Sequence, residues 1–403
     1  MYQIGEAEIE AVARVIRSGR LFRYQKGPNG EPSESAQFER EYAQKMGAPH
    51  ALAVTSGTAA LICGLIGLEV GPGDEVIVPG YTFMATALAP LAVGAVPVLG
   101  EVDAGLMLDP ADVERKITPR TKAIIPVHMN GHVANLDDIV RVARKAGVKV
   151  LEDCCQCVGG SYRGLRVGRH GDAGAYSFNY YKNITSGEGG AIVTSDGKIH
   201  QRARMYHDSG AMFRVDAKDF TVPVFAGVNY RVDEVRSAIM RVQLQRLDEI
   251  LSSLRRRWSA LRERLQGKIE FAPVHDRDGV CGSYLLLRLG SRQEALAFTK
   301  AASERRIPSY LPHDSGRHVY WNWDPLLERR GAHHPAFDPL QTELGRKQQY
   351  SVEMLPKTRE HLERSAFVNI DVNWTEEDLD RIANGLIECA NVAESASLVM
   401  SHK

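Results

Sequence analysis

In the run Leu151–Gly190 an acid and a lysine occupy positions that can do chemistry. Asp153 follows an apolar, strand-like stretch (Val148 to Leu151), and Lys182 lies just beyond a second (Ala173 to Phe178). Between them, Gly159, Gly160, Gly164, Gly168, Gly171 and Gly174 suit a tightly turned backbone where positive φ is needed. An acid and a lysine at neighbouring strand ends of an α/β protein form the arrangement needed to hold pyridoxal phosphate (PLP). The lysine amine condenses with the cofactor's aldehyde, and the carboxylate partners the protonated pyridine nitrogen. On these two residues alone a plainer reading stands level: Asp153 as a helix-capping acid and Lys182 as a solvated loop charge.

The apolar stretch Ala51–Val54 meets Thr55-Ser56-Gly57-Thr58, and a helix begins at once. Free amides at a helix N-terminus, with hydroxyls beside them, make an anion site. Serine and threonine there also cap helices without any ligand. With Asp153 and Lys182 in the same chain the phosphate reading is the better one, and Gly57 and Thr58 are its expected contacts.

The detailed string resembles the DegT/StrS family of PLP-dependent sugar aminotransferases, enzymes of fold type I. The residues carrying the resemblance are Glu152-Asp153 with Gln156, then Gly168, Gly171-Asp172 and Gly174. Ser177-Phe178, Lys182 and Gly187-Glu188-Gly189-Gly190 complete it. It extends over nearly the whole chain. It implies transfer of an amino group from L-glutamate or a similar donor to a keto- or aldehydo-sugar or sugar-like acceptor. Lys182 is then the cofactor lysine and general base, Asp153 the partner of the ring nitrogen, Gln156 a hydrogen bond to the phenolic oxygen and Ser177 a phosphate contact. Phe83 occupies the place of an aromatic that stacks on the pyridine ring; its alternative is a core phenylalanine. Gly227, Asn229, Tyr230 and Arg231 match a motif in which the asparagine reaches the cofactor of the partner subunit, implying a homodimer with shared sites. Relatives that dehydrate deoxysugars replace the lysine with histidine, so Lys182 favours transamination. A PLP-dependent sugar dehydratase and a non-catalytic PLP- or sugar-binding sensor are the competing readings. Relatives often show a histidine–glycine pair where this chain reads His207-Asp208-Ser209-Gly210, which leaves a role for His207 open.

These residues need a frame. Strand-like runs Glu75–Val78, Val96–Leu99 and Ala123–Val127 alternate with helical stretches such as Pro110–Lys116 and Leu136–Ala146. Such alternation predicts an α/β fold with a mostly parallel central sheet flanked by helices. Ligands in these sheets collect beyond the carboxyl ends of the strands. A long amphipathic helix from Val232 to about Trp258 suits a rod between two domains, a large PLP-binding domain (1–250) and a small C-terminal α+β domain (251–403). In the latter, Tyr284–Leu289 and Ala366–Ile370 read as strands, Gln293–Arg305 and Glu376–Cys389 as helices, with Thr375 capping the last. Tyr310 to Tyr350 is rich in His, Trp, Arg and Pro. It reads as a loop contacting a polar, sugar-like or carboxylate-bearing substrate, or as an insertion buried at a subunit contact. With Leu21-Phe22-Arg23-Tyr24 it is more similar to relatives acting on keto- or aldehydo-sugar acids than to those acting on nucleotide sugars.

Composition narrows the alternatives. The 403 residues hold 50 Lys+Arg and 50 Asp+Glu, so no strong net field draws nucleic acid or an anionic membrane. Pro90 and Pro97 break the apolar stretch Ala87–Gly100, which is too short to span a bilayer. Ile9, Val12, Val15 and Ile16 recur at helical spacing among charges, an amphipathic helix and not a signal peptide, so a cytoplasmic protein is expected. Cys154, Cys155 and Cys157 lack a second knuckle, and the histidines fit no zinc spacing, so no metal is expected. His128 is read as a satisfied core histidine over a pocket residue.

Overall fold

The computed structural model of the chain describes residues 4–211, 214 and 217–401. Helices α1 (Glu6–Ser18) and α2 (Glu34–Met46) precede β1 (His50–Val54) and α3 (Gly57–Gly67). Alternation continues through β2 (Glu75–Pro79), α4 (Ala85–Ala92), β3 (Val96–Gly100), α5 (Pro110–Lys116), β4 (Thr121–Ile124), α6 (Leu136–Ala146) and β5 (Lys149–Asp153). A short hairpin, β6 (Ser161–Tyr162) and β7 (Leu165–Arg166), precedes β8 (Ala173–Ser177), β9 (Gly190–Thr194) and α7 (Gly197–His207). The long α8 (Glu234–Leu265) leads to β10 (Tyr284–Arg288), α9 (Arg292–Glu304) and β11 (Ser309–Tyr310). Then come α10 (Asp324–Leu327), α11 (Glu343–Lys347), α12 (Pro356–Glu363), β12 (Ser365–Asn369) and α13 (Glu376–Ser401).

The central sheet has seven strands in the order β1-β9-β8-β5-β4-β2-β3. The pairs from β8 to β3 are parallel, as expected, and helices cover both faces, so the strands are apolar throughout. One strand escapes the sequence reading. β9 runs antiparallel to both β1 and β8, with Ser177 opposite Gly190. Two reversals restore the original direction, so β1, β8 and β5 all end at the same edge of the sheet. The tight return from β8 to β9 carries Lys182 at that edge. The glycines between Asp153 and Lys182 divide in role. Gly159, Gly164 and Gly168 take positive φ (83°, 79° and 87°), whereas Gly160, Gly171 and Gly174 do not. A Cβ on Gly174 would sit 2.4 Å from Gly168 Cα, so close backbone approach is what that position requires.

The expected boundary near residue 250 falls inside α8. Met240, Leu244, Leu247 and Leu251 pack with the large sheet, whereas Leu254, Trp258, Leu261 and Leu265 pack under the small antiparallel sheet β10-β12-β11. The chain after 251 does not all stay with the small sheet. Tyr320, Trp323, Leu326, Leu340 and Leu355 return to the core of the seven-stranded sheet, beside Val76, Val78 and Leu99. Part of the aromatic-rich segment 310–350 is therefore core and not loop, because its buried Trp and Tyr need an apolar partner larger than a three-stranded sheet provides.

Candidate active site

The shared edge of β1, β8 and β5 gathers the candidate residues. At the end of β1, Ser56 caps α3 by accepting a bond from the Ala59 amide (3.1 Å), so the plain capping role does exist. It leaves the amides of Gly57 and Thr58 without an acceptor among the described residues. The backbone here is tightly seated. A Cβ on Gly57 would lie 2.8 Å from Ser177 Cβ and 2.9 Å from Cys155 Sγ. Two unpaired amides at a helix N-terminus, with the Ser177 hydroxyl beside them, are an anion cradle.

At the end of β5, adjacent acids point to opposite faces of the strand and divide their work. Glu152 is fully buried and accepts bonds from the amides of Gly168 (2.6 Å), His170 (2.7 Å) and Gly171 (2.7 Å) and from His128 Nε2 (3.2 Å). Burial pushes its pKa up, but His128 and these amides outweigh burial and hold the carboxyl below its ordinary range. All of its acceptor capacity is spent pinning the glycine turn. His128 Nδ1 in turn accepts from the Ala134 amide, so His128 is the satisfied core residue expected. Asp153 is different. Its Oδ2 accepts from Thr86 Oγ1 (2.8 Å) and its Oδ1 from the Cys155 amide (3.0 Å). Two of roughly four acceptor positions on the carboxylate stay open. Thr82 supports Thr86 through a hydroxyl–hydroxyl contact of 2.8 Å.

A cavity of about 850 Å³ opens over this edge. Gly57, Thr58, Phe83, Asp153, Gln156, Ser177 and Lys182 all line it, although the chain separates them by up to 125 positions (182 − 57). Lys182 is the one lysine in the lining, and Nζ has no hydrogen bond or ion pair among the described residues. Phe83 is 39% exposed, which removes the core alternative. Gln156 Oε1 faces the Asn130 amide at 3.4 Å, leaving Nε2 able to donate into the cavity. Asn229 does not line this cavity; its Oδ1 accepts from the Arg231 amide at 3.2 Å. His207 lies away as well, buried beside Arg23 with Nδ1 against the Arg204 carbonyl (2.6 Å). Burial and the Arg23 charge lower its pKa to about 3.

The stretch expected to contact substrate supplies Tyr310, Arg317 and His318 to another wall, which Tyr81 and Asn130 share. Asn130, held at φ 52° and ψ 36°, donates through Nδ2 to the hydroxyls of Tyr310 (2.8 Å) and Tyr81 (3.3 Å). Those phenols also bond each other and so join the two sheets. Burial raises the Tyr81 pKa, so the hydroxyl stays protonated. Arg317 and His318 complete the wall. No local pattern signals Asn130 or Thr86; the wealth of His and Arg in 310–350 is the only hint of the rest.

The residues fit PLP: an anion cradle, a carboxylate with open acceptor positions and an unpaired amine line one cavity. The sequence profile of the DegT/DnrJ/EryC1/StrS aminotransferase family matches residues 2–307. The chain is 40% identical over 271 residues to 3-amino-5-hydroxybenzoate synthase of Amycolatopsis mediterranei, covering 66% of this chain and 67% of that protein. It is 38% identical over 295 residues to GDP-perosamine synthase of Caulobacter vibrioides, covering 72% and 68%. Its structure superposes with a TM-score of 0.77 on 3-amino-5-hydroxybenzoic acid synthase, at 29% identity and over 96% and 97% of the two chains. With DesV of S. venezuelae, solved in complex with a ketimine intermediate, the TM-score is 0.76 at 29% identity, over 95% and 94%.

Proposed function

This chain belongs to the DegT/DnrJ/EryC1/StrS aminotransferase family, and we propose that it moves an amino group from L-glutamate or a similar donor to a carbonyl of a sugar-like acceptor. The carrying observation is the meeting of Lys182, Asp153 and the free Gly57 and Thr58 amides at one sheet edge. Gly57, Thr58 and Ser177 would hold the phosphate of PLP, Gln156 would donate to its phenolic oxygen, and Phe83 would pack on its ring. Asp153, fixed by Thr86 and the Cys155 amide, holds the ring-nitrogen proton. Bound PLP supplies an aldehyde that captures amines and a protonated ring that accepts electrons from the donor Cα. Lys182, as the unpaired amine of the cavity, takes the proton from the donor Cα. Its presence supports transamination over sugar dehydration.

The same reading makes the enzyme a homodimer with shared sites. Asn229 lies outside its own cavity, and Phe22 and Tyr181 leave large aromatic surface exposed. Mixing inactive Lys182→Ala and Asn229→Ala chains should restore activity above either parent, whereas unshared sites would leave the mixture inactive. Among the described residues no helix is long and apolar enough to cross a membrane. We place the enzyme in the cytoplasm, a reading supported by six free cysteines.

Mixing purified holoenzyme with L-glutamate should bleach the cofactor's visible absorbance and release 2-oxoglutarate. A spectrum unmoved by every amino donor tried would remove the proposal.

A further inference from the structure

The cradle at α3 accounts for one anion, and the same cavity carries a further cationic side chain. Among the described residues Arg317 is the one arginine lining the cavity. Its backbone is fixed: the carbonyl accepts from the Met84 amide (3.2 Å) and from Trp323 Nε1 (2.9 Å), and the next carbonyl, of His318, accepts from the Thr82 amide (2.9 Å). The stretch 82–86 to which it is tied also carries Phe83 and Thr86, so the base of Arg317 is registered on the floor of the site. The guanidinium itself has no hydrogen bond, ion pair or ring contact among the described residues. Neither acid of the lining, among the described residues, pairs with it. Asp153 is bonded to Thr86 and the Cys155 amide, and Glu188 accepts from Asn179 Nδ2 (3.0 Å). His318 lies beside it, its ring 5.7 Å from that of Phe83 and Nδ1 against the Ser315 carbonyl. Burial, with the charges of Lys182 and Arg317 close by, keeps that imidazole neutral at pH 7.

An unneutralised guanidinium carried on a fixed backbone at the cavity wall presents a planar fork of donors matched to a carboxylate. Resting on the transaminase reading, we infer that Arg317 is a specificity-determining residue that takes a carboxylate of the substrate. That group comes from the amino donor, which always carries one, or from an acidic acceptor.

The test uses holoenzyme of the wild type, Arg317→Gln and Arg317→Lys. Half-saturation by L-glutamate, L-glutamine and L-alanine is read from the cofactor spectrum. Inhibition by D-glucuronate and by D-glucose is read alongside. Loss of a charged hydrogen bond predicts an about 10- to 150-fold weakening in Arg317→Gln, with partial rescue in Arg317→Lys and a nearly unchanged limiting rate. Weakening of L-glutamate alone assigns the donor's side-chain carboxylate, and equal weakening of all three donors assigns the α-carboxylate. Weakening of D-glucuronate alone assigns an acidic acceptor. If the wild type responds to donors and no carboxylate probe shifts in Arg317→Gln, the inference is overturned. If the wild type responds to no donor, the transaminase reading itself fails.

Discussion

Thr86 offers the sharpest perturbation of the cofactor floor, because its hydroxyl is a side-chain donor bonded directly to the Asp153 carboxylate. It is 1% exposed, donates to Asp153 Oδ2 at 2.8 Å, and is steadied by Thr82. Thr86→Val keeps the shape and removes the donor. In the apoprotein, water can compensate at the carboxylate's open positions. With PLP bound, the carboxylate must hold its position on the Cys155 amide alone, so the loss is expressed mainly in the holoenzyme. A hydrogen bond to a charged group contributes about 1.5–3 kcal/mol, so PLP should bind roughly 10- to 150-fold more weakly. Titration of the apoprotein with PLP, followed by absorbance, gives the ratio. Thr86→Ser retains the hydroxyl and should stay near the wild type. A Thr86→Val Kd within twofold of the wild type, or a Thr86→Ser defect as large as that of Thr86→Val, would refute the role given to this bond.

Two further outcomes follow from the same geometry. Gly57→Ala places a methyl 2.8 Å from Ser177 Cβ, and it should weaken inorganic phosphate and PLP together, at least tenfold, in equilibrium dialysis. His132 and His207 are buried with pKa values lowered from 6.5 to about 4 and about 3, in both cases chiefly by burial. The unfolded chain therefore binds more protons below pH 6.5. Their contribution is complete above that pH and is lost as pH falls towards 4, by on the order of a few kcal/mol in urea titrations. A urea midpoint flat from pH 7 to 4 would contradict this.

Much of the frame could be read from the chain because it is written locally. Ser56 begins α3 where a small polar residue follows a strand, and α6 spans Leu136–Ala146, where the apolar period and flanking Asn135 and Gly147 place it. Asp153 and Lys182 fall at strand ends for the same reason. What stayed hidden is tertiary. The Thr86–Asp153 bond joins residues 67 positions apart, and no periodicity encodes it. β9 is not legible locally, because its glycine-rich entry reads as loop and its antiparallel sense breaks the strand–helix alternation. On composition the segment after Tyr310 reads as a loop or as an insertion buried at a subunit contact; Tyr320 and Trp323 are wholly buried within the chain itself, against the large sheet. Asn130 in the left-handed region is a position that sequence preference would give to glycine.

The central claim is that one amine, Lys182 Nζ, carries the cofactor above Asp153. Borohydride reduction of the holoenzyme followed by peptide mapping tests it most directly. The account predicts a stable pyridoxyl adduct on Lys182, absent from Lys182→Ala. Label on another lysine, or none while the protein still consumes L-glutamate, would contradict it.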